Sequence, residues 1–401
     1  AYGARDLLYR VKKDSRSLRW DKLWNTVQER IQPVSVQRLL EAKWLINYTD
    51  DWTRADGILD RVEVDGTAPQ GPLSQDADGS WGPGYTEPYH RLEPTVDALQ
   101  RDSLDSQKGL KPLIFMKPFE KPDFVVSYLD SLRLSRIRET GRNHRGELGA
   151  VMTAMSQLIF KKKIRDALLN HPELDFHISP ELEKTYTGYL WSMQAPDTGY
   201  WGPSYEFGNE RFDVQDLSFT FHVAHYYENG YPDDDRKAPN LPTIARTTLA
   251  IVDYWYPNGW RATRSPKEPR FSDHHNYDAV PLFACAWPAL DDSLRKQVRP
   301  VLQKVLDWCL TKSLNGDRFN DSGMNDVESY YFGVKFLNVI GFWKPESAFW
   351  PEGPLQVPDG TPKPQVVARR LLDRFLAEVD NHTEAADTTK EVLNAALSGT
   401  R

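Results

Sequence analysis

Apolar residues recur along most of this chain at three- and four-residue intervals, the period of one face of an α-helix. Leu18, Leu23, Trp24 and Val27 set one such stripe, and Val36, Leu39, Leu40 and Trp44 a second, with Pro33 and Ser35 marking the break between them. Residues 62–90 are rich in Asp, Gly and Pro and predict a long loop. Residues 91–109 predict a helix that stops at Lys108-Gly109-Leu110-Lys111-Pro112. The pattern then alternates. Leading helices are expected near 122–138, 180–194, 242–256 and 293–313, and following helices near 145–170, 213–229, 274–289 and 325–340. Almost no run shows the two-residue alternation of a strand. Prolines crowd 345–364, which reads as a wrapping loop. Residues 365–397 return to a helical pattern with Val367, Leu371, Leu372 and Phe375, and the last polar residues read as frayed.

A short loop rich in Gly, Trp or Asn separates each leading helix from its following one. These loops centre on Trp81, Gly141, Trp201, Trp260 and Asp317, at intervals of 60, 60, 59 and 57 positions. So steady a beat predicts an array of helical hairpins. Solenoid repeats are usually shorter, about 34–47 residues, and a longer unit leaves long loops on one face. The expected fold is therefore all-α, an (α/α)6 or (α/α)7 toroid forming a single domain over residues 1–401. The loops at 141, 201, 260 and 317 should gather at one cleft, with the Trp81 loop as its wall.

Composition narrows the function classes. The formal net charge of −7 lacks the basic footprint of a nucleic-acid binder. No apolar stretch approaches the roughly 20 residues that span a bilayer. The start at Ala1 fits a mature secreted or periplasmic chain, and Asn47, Asn320 and Asn381 open glycosylation sequons. Cys285 and Cys309 each lie in an apolar helical run, where buried free thiols are the default and a disulfide between neighbouring helices the alternative. Neither has metal-ligand spacing, and no metal or other cofactor is expected. Phosphate-binding, nucleophile-elbow and His-Glu-x-x-His signatures are missing. Aromatic residues reach 12%, with 13 Trp, which are core filler or flat platforms depending on where they lie.

The polar groups that could do chemistry cluster at the loops and helix starts. Asn143-His144-Arg145-Gly146-Glu147 opens a helix, where unpaired N–H groups and the dipole favour a carboxylate, or where Asn merely caps. His222 and Tyr226 share a helix face, with His225 on a neighbouring stripe. The run from Arg270 through Asp273, His274, His275, Asn276, Tyr277 and Asp278 is the densest group in the chain. Tyr277 follows His222 by 55 positions, and Tyr330 follows His275 by 55, so each pair should join neighbouring repeats. A Tyr–His pair in a cleft can divide proton abstraction from proton donation. Trp81 and Trp201 stand in a repeated Trp-Gly-Pro-x-Tyr phrase with Tyr85 and Tyr205. Trp81, Trp201, Trp260, Tyr205, Arg211 and His274 are the expected sugar-binding residues; capping the ring's end is the plain alternative for the tryptophans.

The run His275-Asn276-Tyr277-Asp278-Ala279-Val280-Pro281-Leu282, preceded by Arg270, resembles the Tyr-bearing helix start of toroid alginate lyases, and Asn143-His144-Arg145-Gly146-Glu147 resembles their Asn-His segment. The motif likeness covers about 20 residues, and a whole extra repeat separates Asn143-His144 from Tyr277. The resemblance implies β-elimination on an acidic polysaccharide of alginate or glucuronan type, by a monomer needing no metal. It implies Asn143 with His144 or His222 at the uronate carboxylate, His275 as base, Tyr277 or Tyr330 as acid, and Arg270 assisting. Two other classes compete. An inverting glycoside hydrolase on the same fold would use two carboxylates drawn from Glu206, Glu210, Asp213, Asp278 and Glu328. A non-catalytic glycan-binding toroid would keep only the aromatic platforms.

Overall fold

A computed structural model describes residues 16–17, 39, 41–46, 51–65, 75, 78–81, 89–101, 104–105, 107–229, 236–262, 271–320, 326–379 and 384–398. The protein is mostly helical, with a few short strands. The first helix lying wholly within the described residues, α1 (Trp52–Asp65), packs Ala55, Ile58 and Leu59 against Leu39, Ala42, Leu45 and Ile46 in a small core of their own. Apart from the single turn Ile137–Thr140, the remaining described helices share one large core. They are α2 (Tyr89–Leu99), α3 (Pro122–Arg133), α4 (Arg145–Phe160), α5 (Lys162–Asn170), α6 (Pro180–Met193), α7 (Leu217–Asn229), α8 (Leu241–Ala250), α9 (Asp273–Ala286), α10 (Asp292–Trp308), α11 (Asp326–Val339), α12 (Pro364–Glu378) and α13 (Glu384–Ser398).

Two kinds of helix alternate. On α10, Leu294, Val298, Leu302 and Val305 line one stripe and the other faces are polar, as on a helix with one side in water. Its start is fixed by Asp291, whose carboxylate accepts from the Leu294 N–H at 2.8 Å. Ser179 caps α6 in the same way, with Pro180 at its first position. By contrast α9 is buried nearly all round, from Asn276 through Phe283, and α4 buries nine of its residues. The buried helices form a continuous row, in which α2 packs on α4, α4 on α7, α7 on α9, α9 on α11 and α11 on α13. The amphipathic helices lie against that row: α3 on α4, α8 and α10 on α9, and α12 on α13. The leading and following segments of the sequence thus become the two layers.

The loops that carry the beat are structural joints. The Trp201 indole donates to the Leu190 carbonyl at 2.7 Å, and the Trp260 indole to the Thr248 carbonyl at 3.0 Å. Leu190 and Thr248 lie in the last turns of α6 and α8, where helix carbonyls lack helical partners. The Trp201 backbone N–H reaches the Thr220 hydroxyl at 3.1 Å, and Trp81 reaches Thr95 at 3.3 Å. Each Trp thereby ties the loop to the next buried helix, and the Trp201 and Trp260 indoles also tie it to the end of the preceding one. Trp81, Trp201 and Trp260 are fully buried, so these three residues expected to stack on sugars are not platforms.

Other boundaries shift for local reasons. The helix expected over 145–170 breaks at Lys161, whose extended backbone separates α4 from α5, and the helix expected to run to 109 ends at Leu99. Two hairpins fold inside the loops. β1 (Leu134–Ser135) runs parallel to β2 (Ser204–Phe207), which pairs antiparallel with β3 (Glu210–Asp213), and β4 (Leu314–Asn315) pairs with β5 (Arg318–Phe319). These strands are too short to show an alternating pattern. Cys285 and Cys309 are buried free thiols. Most of the 66–88 loop, the sequons at Asn47 and Asn381, and the last three residues lie outside the described residues.

Glycines test these joints. A Cβ on Gly202 would sit 1.7 Å from the Val214 carbonyl oxygen, whereas one on Gly188, exposed within α6, would meet nothing. Gly202→Ala is expected to lower unfolding stability by about 2 kcal/mol or more, and Gly188→Ala to raise it by about 0.5–1 kcal/mol. Urea unfolding of the two variants beside wild type reads both signs.

Candidate functional site

The helices of the buried row line a cavity of about 460 Å³. All six of its helices contribute, four of them (α4, α7, α9 and α11) with residues from the first turn and the one or more turns after it. From α4 come Arg145, Gly146, Gly149, Ala150, Thr153 and Gln157, one helical face whose small residues leave the space open. From α7 come Ser218, His222 and Tyr226, at intervals of four. From α9 come His274, Tyr277 and Asp278, and from α11 Glu328, Tyr331 and Phe332, each set spaced i, i+3, i+4 and lying 54 positions apart. Glu93 and Asp97 face it from α2, and Ala385 from α13.

The wall is largely aromatic. Tyr277 meets Phe221 edge-on at 5.2 Å and Tyr331 at 6.1 Å, while His274 stacks on Phe332 at 4.2 Å. His222 Nδ1 lies 3.2 Å from the Tyr226 hydroxyl. Burial pushes both His222 and His274 down to about 3, with nearby positive charge adding to it, so both imidazoles are neutral at neutral pH. Arg145 is the cation on the wall of α4. Its Nε lies 2.6 Å from Asp216, a fully buried carboxylate that also accepts from the Phe219 N–H and so starts α7. Glu93 opens onto the cavity but is otherwise enclosed. Burial first, and the Glu328 charge second, hold its carboxyl above the usual range.

On the α9 wall, Asp278 is buried to 1% exposure. Its Oδ2 accepts from the Tyr256 hydroxyl at 3.0 Å and lies 3.6 Å from His274 Nε2, while its Oδ1 has no hydrogen-bond partner. Burial pushes this carboxyl well above its ordinary value, and the charge of Asp216 adds to that.

The residues expected at the site divide sharply. His222, His274 and Tyr277 share the cavity wall. His275 does not: its ring lies flat on Tyr256 at 3.8 Å and its Nδ1 lies 3.1 Å from the Trp260 carbonyl, between α9 and the preceding loop. Tyr330 also turns away, donating to the Asp317 carbonyl at 3.1 Å and to Glu378 at 3.2 Å. Asn143 is off the wall; its side chain accepts from the Arg145 N–H and from the Tyr205 hydroxyl, a capping role that joins the loops at 141 and 201. The His144 side chain makes no capping bond and lies 3.8 Å from Glu147. Arg211 bonds Asp213 and Ser204 within the β2–β3 hairpin. Arg270 lies outside the described residues.

The loops do meet, as expected. Asn143 touches Tyr205, the Leu217 N–H donates to the Pro257 carbonyl at 2.7 Å, and Ser313 bonds Asp273 at the start of α9. What they build is the rim and frame. The wall itself is the helix residues that follow, among them Arg145, Tyr226, Asp278 and Tyr331, together with Glu93 and Asp97 of α2. The repeated i, i+3, i+4 stripe on α9 and α11 was the available signal for Asp278 and Tyr331. Among the described residues, no group of three or more His, Cys, Asp or Glu side chains could hold a metal ion, and no helix is long and apolar enough to cross a membrane.

The buried histidines set an acid limit on stability. His222, His225 and His274 are held near 3 and His275 near 4, against about 6.5 in an unfolded chain. Between those values the unfolded state binds more protons, so these groups remove stability as pH falls below about 6.5. Raised carboxyls such as Asp278 act oppositely, removing stability as pH rises above their unfolded value. His225, off the wall, isolates one contribution. Its replacement by Gln is expected to recover about 1 kcal/mol of the difference in wild-type stability between pH 7 and pH 5, read by urea unfolding at both values.

Compared with family models, curated proteins and solved structures, the chain matches none.

Proposed function

We propose that this protein is an (α/α) toroid that cleaves a uronic-acid-containing polysaccharide by β-elimination. The observation that carries this is the meeting of His222 and Tyr277, from successive buried helices, in one cavity that also holds Arg145. A uronate lyase needs a group to quiet the sugar carboxylate, a base for the C5 proton and an acid for the departing oxygen. Arg145, beside the first turns of several helices, suits the carboxylate, since helix N-termini favour anions. His222 is neutral and so able to take a proton. A bound carboxylate would raise its affinity for that proton, because an opposite charge stabilises imidazolium. Tyr277, Tyr331 and the His274–Phe332 stack supply flat surfaces for sugar rings in place of the buried tryptophans. The toroid closes in this proposal through α13 returning beside α2, since both reach the cavity.

An inverting glycoside hydrolase is the second reading, and a specific feature favours it. Glu93 and Glu328 both face the cavity, and the charge of one raises the proton affinity of the other. Such a pair can divide acid and base roles between two carboxyls.

Incubation with alginate, glucuronan and neutral glucans separates these. Elimination is expected on the uronate polymers, seen as rising absorbance of the unsaturated uronate. New reducing ends without absorbance would instead assign hydrolysis, and binding without cleavage a glycan-binding protein. Tyr277→Phe, which keeps the ring and removes only its hydroxyl, is expected to lower kcat/KM by roughly tenfold. His275→Ala should leave kcat within about tenfold while lowering the melting temperature, because the His275 ring packs on Tyr256 away from the wall.

A further inference from the structure

Asp278 is the one cavity-wall carboxyl that combines near-complete burial with an oxygen no protein group satisfies. A buried polar atom left unpaired costs on the order of 1–3 kcal/mol, so a helix that keeps one beside a cavity is built for a partner that arrives. The surroundings fix where its hydrogen lies. Tyr256 donates to Oδ2 at 3.0 Å, which makes Oδ2 the acceptor and leaves Oδ1 to carry the acid hydrogen. His274, 3.6 Å away, is kept neutral by the same burial and does not take that proton. The terminal torsion of an aspartate is soft, so the carboxyl can turn toward an oxygen at the wall without backbone movement.

We infer that Asp278 is a catalytic residue, handing the hydrogen on its Oδ1 to the glycosidic oxygen that leaves the sugar. This rests on the proposed cleavage of a polysaccharide, and it names a donor in place of Tyr330, which faces elsewhere, and of Tyr277, which is left to bind the sugar. In the elimination, His222 takes the C5 proton and the C–H pair becomes the C4=C5 double bond. The C4–O bond breaks with its pair on oxygen, and that oxygen receives the Asp278 proton. The imidazolium and the carboxylate left behind are the two halves of one proton transfer, which returns both to neutrality. The role makes Tyr256 a positioning residue, since its bond decides which oxygen is the donor.

Asn is a close mimic of a neutral carboxyl: its carbonyl can accept from Tyr256 and its amide can occupy the Oδ1 position, yet it cannot transfer a proton. Asp278→Asn is therefore expected to melt no lower than wild type. On the polymer its kcat should fall about 10³-fold, with KM changed by less than about threefold. On a uronic acid carrying nitrophenoxide at C4, which leaves as nitrophenolate without a proton, the fall should be less than about tenfold. Tyr256→Phe should show a smaller loss with the same dependence on leaving group, and Glu93→Gln should not show it. Equal losses on both substrates, no loss on the polymer, or the leaving-group dependence appearing in Glu93→Gln instead would overturn the role of Asp278. A wild-type protein inert toward all uronate polymers would overturn the proposed reaction itself, and the role of Asp278 with it.

Discussion

The ion pair between Arg145 and Asp216 is the interaction on which the rest of the site depends. Asp216 is fully out of water, and burial raises its carboxyl above the ordinary value, while the Arg145 guanidinium 2.6 Å away and the first N–H groups of α7 work against that rise and favour the charged form. Removing either partner from such a buried pair typically costs about 3–5 kcal/mol. One carboxylate thus caps α7 and anchors the first residue of α4, fixing the rotation of two neighbouring helices about their axes. Arg145 also lies over the Phe219 ring at 5.5 Å, which holds the cation at the cavity edge. With α4 and α7 set in this way, His222 faces inward and the stripe of Gly146, Gly149 and Ala150 keeps space open before it.

The chemistry of the cavity follows from how little water reaches its histidines and Asp278. Aromatic rings surround the histidines and Asp278, and burial works against charge on all of them. Neutral imidazoles and a neutral carboxyl are the components of proton transfer without standing charge. The same enclosure explains why the tryptophans are absent from the wall. An indole N–H needs a partner when buried, and the Trp201 and Trp260 indoles find theirs in helix-end carbonyls. Their repetition along the chain marks the joints between hairpins.

Much of the architecture was legible in the chain. The alternation of leading and following helices appears in the structure as helices with one polar face and helices more buried than these, because a helix with water on one side must show a polar face and one packed between neighbours need not. The loops at 141, 201, 260 and 317 are joined, as their spacing implied. Within the site, His222, His274 and Tyr277 were legible from their density near helix starts. Trp81, Trp201 and Trp260 were not, because a Trp beside Gly and Pro looks the same whether it projects outward or plugs a joint.

The difference between His275 with Tyr330 and His274 with Tyr277 shows where sequence stops. Period alone determined which residues lie at the same height: His275 and Tyr330 are 55 positions apart, and so are His222 and Tyr277. It could not determine which side of the helix they occupy. One position along an α-helix turns the side chain by about 100°, enough to move a histidine from the cavity onto Tyr256 and a tyrosine from the wall to Glu378. The rotation of α9 and α11 is decided by packing against α7, α8 and α13, and those contacts exist only in the folded chain.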